Sequence, residues 1–177
     1  MSGLQVVRRA RPADAAALAE IYNPYVLHST ASFEEAEVTA ADMEARLAKV
    51  TAAGLPWLVV EDGELTDPVQ GYAYVAPFSE RPAYRHALEV TVYLREGVVG
   101  RGLGTRLYEA LVDEVTRLDE ASPHAPVHRL YARIALPRPE SVALHERFGF
   151  VRVGLLSEAG FKQGTRIDVG YWELALD

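Results

Sequence analysis

The chain has 177 residues, 49% of them apolar and 24% charged, and a net charge of −7. That length suffices for one domain with a substantial core, and the acidic balance argues against a nucleic-acid or anionic-membrane surface. The lack of any cysteine excludes disulfides, thiol catalysis and thiolate metal sites. The first residues lack the apolar core of a signal peptide and no apolar run reaches membrane length, so a cytoplasmic location is expected.

In chain order, Leu4 to Arg8 reads as a first strand, and Pro12 with Asp14 opens a helix whose apolar face is Ala15, Leu18, Ala19, Ile21 and Tyr22. Asn23-Pro24 is expected to interrupt that helix before His28, and Ser29 to Glu35 reads as a loop with Phe33 as its one aromatic. Thr39 and Asp42 form a capping-box pattern for a helix through Met43, Leu47 and Val50 that stops near Gly54. Trp57 to Glu61 is a buried strand, turned by Asp62-Gly63 onto an antiparallel partner, Val69 to Val75. A further strand is expected from Tyr84 to Leu94. Leu103, Leu107, Ala110, Leu111, Val115 and Leu118 then fall at helical spacing. Asp119 to Val127 reads as an exposed connection, His128 to Leu136 as a strand and Glu140 to Phe148 as a short helix stopped by Gly149. Phe150 to Leu155 and Ile167 to Leu176 complete the sheet. The expected fold class is α/β (α+β): one domain over residues 1–177, with a mixed, mostly antiparallel sheet flanked by helices.

The stretch Leu88 to Thr105 carries the chemistry. Leu88, Val90, Val92 and Leu94 alternate with Glu89, Thr91 and Tyr93, which places a carboxylate and a phenol on one strand face. Glycines at 100, 102 and 104 then open a helix. Backbone N–H groups at such a junction, with the helix dipole and Arg101, suit an anion. The spacing fits neither the nucleotide P-loop nor G-x-G-x-x-G, so a plain glycine turn stays open as an alternative. His124 and His128 have metal-like spacing, but Pro123 and Pro126 spoil helical presentation; no metal is expected.

Glu-Val-Thr-Val-Tyr followed by Arg-Gly-Leu-Gly resembles the acyl-CoA-binding heart of the GNAT acetyltransferases, closest to their phosphinothricin and methionine sulfoximine acetyltransferase branch. Asn23-x-Tyr25-Val26, Gly71-Tyr-Ala-Tyr, Arg81-x-Ala-Tyr84, Ser141-x-x-Leu-His145-Glu146, Phe148-Gly-Phe, Gly160-Phe-Lys162 and Asp168-Val-x-Tyr-Trp extend the likeness over nearly the whole chain. The resemblance implies the GNAT fold, acetyl-CoA as co-substrate, a small-molecule amine as acceptor and a homodimer. It implies direct attack of the amine on the acetyl carbonyl, with no acyl-enzyme. Glu89 is the expected base, and Tyr93 bounds the substrate or donates a hydrogen bond near the thioester.

By the same resemblance Phe33, Arg81 and Tyr84 line or grip the acceptor; Arg81 offers a bidentate hold on an anionic group. Val92, Tyr93 and Leu94 pair with pantetheine, and Gly100, Arg101, Gly102, Leu103, Gly104 and Thr105 hold the pyrophosphate. Arg138 and Ser141 complete the co-substrate side. His145 is read as packed structure. The chain departs from the family pattern at Val99, where Gln or Arg is usual, at Arg138 in place of asparagine, at Ser79 in place of a basic residue, and at Arg166 in place of tryptophan. Other acceptors (a polyamine, an aminoglycoside, a protein N-terminus) and a non-catalytic CoA-binding domain remain as alternatives.

Overall fold

A computed structural model describes residues 5–98 and 100–176; Leu4 of the expected first strand and Val99 lie outside the described residues. Seven strands form one sheet: β1 (Gln5–Arg9), β2 (Trp57–Asp62), β3 (Val69–Pro77), β4 (Ala87–Leu94), β5 (Arg129–Ala135), β6 (Val151–Lys162) and β7 (Thr165–Ala175). Their spatial order is β1-β2-β3-β4-β5-β7-β6, and β4–β5 is the one parallel pair among the described strands. Among the described residues, four helices pack on the sheet: α1 (Ala15–His28), α2 (Ala40–Ala52), α3 (Leu103–Thr116) and α4 (Pro139–Arg147).

The alternation of β4 sorts the two faces. Leu94 faces α3, its Cδ1 lying 3.5 Å from where a Cβ on Gly104 would stand. Tyr93 faces α1 instead, with its ring 4.9 Å from the rings of both Tyr22 and Tyr25. Leu18, Ile21 and Val26 of α1 and Leu103, Leu107 and Leu111 of α3 are buried against these opposite faces. Removing such side chains from water is the main force holding helix to sheet.

One local feature positions the site. The β4–β5 ladder has only three partners, ending at Glu89↔Tyr131. Beyond that point β5 stays with β7 as far as Ala135, while β4 stays with β3 as far as Leu94. The two strands part like the arms of a V, leaving the β5-facing edge of residues 90–94 without a strand partner.

Several expected boundaries change. α1 continues through Pro24 to His28 rather than breaking there. Proline removes one helix hydrogen bond, but Ile21 and Tyr22 before it and Val26 after it are buried on one face. Asn23 also exchanges two hydrogen bonds with the backbone of Val38, at 3.0 and 2.9 Å. Pro12 opens a 3-10 turn over Pro12–Asp14, not the α-helix itself, and Asp14 turns inward to meet Arg8 at 2.8 Å. Tyr84 belongs to a second such turn, Pro82–Tyr84, closed by Tyr84 N donating to Arg81 O, so β4 starts at Ala87. The capping box holds, with Asp42 N donating to Thr39 Oγ1 at 3.1 Å and Thr39 N to Asp42 Oδ2 at 2.9 Å. β6 runs seven residues beyond Leu155, because two register irregularities against β7 let a long strand survive a broken alternation.

Candidate active site

The V between β4 and β5 opens into a cavity of about 1260 Å³. β4 supplies Glu89 to Leu94, and the start of α3 supplies Leu103, Gly104 and Thr105. Arg138, Ser141 and His145 come from α4 and its N-cap, and Phe33 from the loop after α1. The volume exceeds the ~300–1,000 Å³ of ordinary small-ligand pockets, as suits two reactants held together.

Glu89 stands where the ladder ends, with its side chain 18% exposed. Its Oε1 accepts from Arg133 Nε at 2.7 Å. Burial works against the Arg133 charge, but the bond and charge of Glu89 outweigh it and raise the guanidinium pKa. Tyr93 lies deeper, among Tyr22, Tyr25 and Tyr72, and burial holds its phenol well above the usual range. It therefore stays protonated and can only donate or accept a hydrogen bond. Burial likewise pushes Tyr22 up to about 12. Tyr25 OH donates to Leu94 O at 2.7 Å, fixing the end of β4 where its ladder is missing.

The loop carrying Phe33 is clamped to β6. Lys162, only 3% exposed, donates from Nζ to Ser32 O at 2.6 Å and to Tyr25 O at 3.4 Å. The Phe33 ring lies across Gly160, so close that a Cβ there would stand 2.3 Å from a ring carbon. Glu34 accepts from Arg46 through both oxygens at 2.8 Å and from Tyr22 OH at 2.9 Å, and the Arg46 bonds hold its carboxyl below the usual range.

At the opposite end Gly100 and Gly102 have φ of +87° and +78°, a left-handed backbone that glycine adopts at little cost. Gly102 caps α3, and the first-turn N–H groups of that helix have no partner within it. With the unpartnered strand edge at residues 90–94, these donors suit an extended ligand carrying an anionic group, the arrangement that the resemblance to acyl-CoA-binding enzymes implies. Arg138 donates to Ser29 Oγ and Arg147 to Thr105 Oγ1, the latter at 3.2 Å; both arginines line the cavity.

Phe33, Glu89, Val92, Tyr93, Leu94, Gly100, Gly102, Leu103, Gly104, Thr105, Arg138 and Ser141 are thus brought to one cavity. Three expected residues are not. Arg101 pairs at 2.7 Å with Asp62, a buried carboxylate at the end of β2, so its side chain braces the glycine loop from outside. Arg81 and Tyr84 do not line the cavity, because the 3-10 turn that carries them precedes β4 at the far end from the V. The Tyr84 ring packs on Phe78 at 5.6 Å instead.

His145, read as packed structure, is packed and also lines the cavity. Its Nδ1 lies 2.7 Å from Ser141 O, and burial lowers its pKa. The neutral ring therefore donates from Nδ1 and leaves Nε2 without a proton. Because the unfolded chain binds this proton more readily, stability falls as the pH drops below the ordinary histidine value of 6.5. Denaturant midpoints at about pH 7.5 and about pH 5.5 should fall further for wild type than for His145→Gln.

Arg133 is absent from the sequence reading, and Lys162 enters it only within a motif, with no role assigned. Arg133 had a usable signal, a charge on the alternating face of a strand otherwise rich in Leu, Ala and Ile. Lys162 stands in the Gly160-Phe-Lys162 motif, but only the fold shows that its β6 position is covered and that it holds the Ser32 carbonyl.

Residues 7–170 match the family of the GNAT acetyltransferase domain. The chain is 40% identical to phosphinothricin N-acetyltransferase of Alcaligenes faecalis, across 92% of this chain and 78% of that one. It is 33% identical to the L-methionine sulfoximine/L-methionine sulfone acetyltransferase of Salmonella typhimurium, across 97% and 94%. The crystal structure of a GNAT superfamily phosphinothricin acetyltransferase from Sinorhizobium meliloti in complex with acetyl-CoA matches with a TM-score of 0.89 and 34% identity, covering 99% of this chain and 89% of that one. A carboxylate at the end of a short parallel ladder, a free strand edge and a glycine-opened helix thus occur together with this match along most of the chain: it belongs to the GNAT acetyltransferase family.

Proposed function

We propose that this acetyltransferase moves the acetyl group of acetyl-CoA to the amine of a small amino acid or analogue of the phosphinothricin or methionine sulfoximine kind. The observation that carries the reading is Glu89 at the ladder's end, in one cavity with the unpartnered edge of β4 and the start of α3. The names of the relatives supply the acceptor class.

Glu89 takes a proton from the acceptor's ammonium group, directly or through water, because only the neutral amine has a lone pair to attack with. Attack on the thioester carbonyl forms the C–N bond and places negative charge on oxygen. A backbone N–H near Leu94 is the proposed oxyanion donor. Collapse breaks the C–S bond; the thiolate leaves and takes up the nitrogen's second proton, giving amide and thiol. Tyr93 bounds the acetyl end. Val92 and Leu94 pair with the pantetheine arm, while Gly100, Gly102 and the amides of Leu103, Gly104 and Thr105 receive the pyrophosphate, with Arg138 and Ser141 beside it. Phe33 walls the acceptor end.

Thiol release from acetyl-CoA with methionine sulfoximine, phosphinothricin and spermidine tests this reading. Turnover with an amino-acid analogue and none with spermidine is expected; turnover with spermidine alone, or with none of the three, would overturn the acceptor class. Gly160→Ala should push the Phe33 ring aside and raise the acceptor's KM by about 10-fold, with acetyl-CoA affinity unchanged in a direct titration.

The catalytic unit is proposed to be one domain over residues 1–177, cytoplasmic and homodimeric, with no nucleic-acid partner. Support for the dimer comes from β6, an edge strand that exposes Val151, Val153, Leu155, Leu156 and Phe161; such an edge invites association. Sedimentation should report a dimer for wild type and a monomer for Val153→Glu/Phe161→Glu.

A further inference from the structure

The cavity holds one close pair of opposite charges at the end where β4 and β5 part, Glu89 and Arg133. Arg133 lies on β5 two residues beyond Tyr131, the register partner of Glu89, and so on the same face. Its Nε donates to Glu89 Oε1 at 2.7 Å, both residues line the cavity, and the arginine side chain is 53% exposed to it and to solvent. Tyr171, its register partner on β7, also lines the cavity and supports the guanidinium charge. The other cavity-lining arginines are placed differently: Arg138 and Arg147 engage the hydroxyls of Ser29 and Thr105, at the α4 and α3 side. Arg81, the residue first expected to hold an anionic acceptor, is outside the cavity.

An α-amino acid at neutral pH carries an ammonium and a carboxylate on one carbon. A carboxylate and a guanidinium in direct contact form its electrostatic mirror image. The ammonium can sit against Glu89 and the carboxylate against Arg133, the internal ion pair being replaced by two intermolecular ones. Guanidinium nitrogens match a carboxylate in a planar, two-point fashion that an ammonium side chain cannot reproduce. The pairing with Glu89 uses Nε, so a modest swing of a half-exposed side chain is the only movement required.

We propose that Arg133 is a specificity-determining residue, gripping the α-carboxylate of the acceptor while Glu89 takes the proton from its ammonium group. The inference rests on the amino-acid reading given above and names the residue that enforces it. A purely structural role, neutralising Glu89, would treat all acceptors alike.

Steady-state kinetics separate the two, using methionine sulfoximine and its α-carboxamide as acceptors for wild type, Arg133→Gln and Arg133→Lys. Wild type should prefer the acid. Arg133→Gln should raise KM for the acid by about 10- to 100-fold, change the amide by less than about 3-fold, and so erase the preference. Arg133→Lys should recover part of it. Acetyl-CoA titration and a thermal scan check that each variant is folded. Equal losses for acid and amide in Arg133→Gln would overturn the carboxylate grip while leaving the acceptor class standing. If folded wild type turned over neither compound, the amino-acid reading itself would fail and the inference with it.

Discussion

Replacing Glu89 by Gln is expected to lower kcat by about 10²–10⁴-fold while leaving acetyl-CoA binding intact. Gln keeps the shape and one hydrogen-bond acceptor for Arg133 but has no basicity, so the amine must lose its proton to bulk water. Loss should be greatest at neutral pH, where an aliphatic amine is almost wholly protonated, and should shrink as rising pH supplies neutral amine from solution. Steady-state thiol release across a pH series, with a parallel acetyl-CoA titration, checks both halves. Unchanged turnover in Glu89→Gln would remove Glu89 from the chemistry. The variant should fold, because Arg133 is half exposed and can be solvated when the ion pair is lost.

Trp172→Ala should have the largest effect on stability, about 3–5 kcal/mol, read from denaturant or thermal unfolding. Trp172 is 2% exposed on β7. Its ring covers Gly170 so tightly that a Cβ on the glycine would lie 2.3 Å from a ring carbon, and Arg152 lies over the ring at 5.6 Å. Its Nε1 donates to Glu146 Oε1 at 3.1 Å, tying the sheet to the helix that carries Ser141 and His145. Truncation removes the apolar contact and the tie together. Trp172→Phe keeps much of the ring and loses the N–H, so it should cost about 1 kcal/mol, a difference large enough to resolve between the two variants.

What could be read in the chain itself follows from how local the determinants are. The face that Glu89, Thr91 and Tyr93 share depends on the two-residue period of a strand, and the Thr39–Asp42 cap on a three-residue spacing; both survive intact. The glycine loop is equally local, since Gly100 and Gly102 each carry the positive φ that opens α3. Pro24 misled because a proline's local cost is only one hydrogen bond, whereas the burial on either side of it is a property of the packed helix. The assignment of Arg101 rests on its charge beside the start of α3, and that of Arg81 on the family resemblance of Arg81-x-Ala-Tyr84. Arg81 stands at the N-cap of a 3-10 turn outside the cavity, and the Arg101 side chain is held by the buried Asp62. Arg133 and Lys162 take their significance from partners 44 and 130 residues away in the chain, Glu89 and the Ser32 carbonyl. No periodicity within β5 or β6 encodes such distances.

The most direct test of acetyl transfer to an amino acid is the structure of the product. Incubation of the protein with acetyl-CoA and methionine sulfoximine, followed by mass spectrometry and NMR of the acceptor, should yield one added acetyl group on the α-nitrogen. It should form only when protein and acetyl-CoA are both present, in step with the free thiol. Thiol release with no acetylated acceptor, or an acetyl group on the sulfoximine nitrogen instead, would contradict the placement of the α-amine against Glu89.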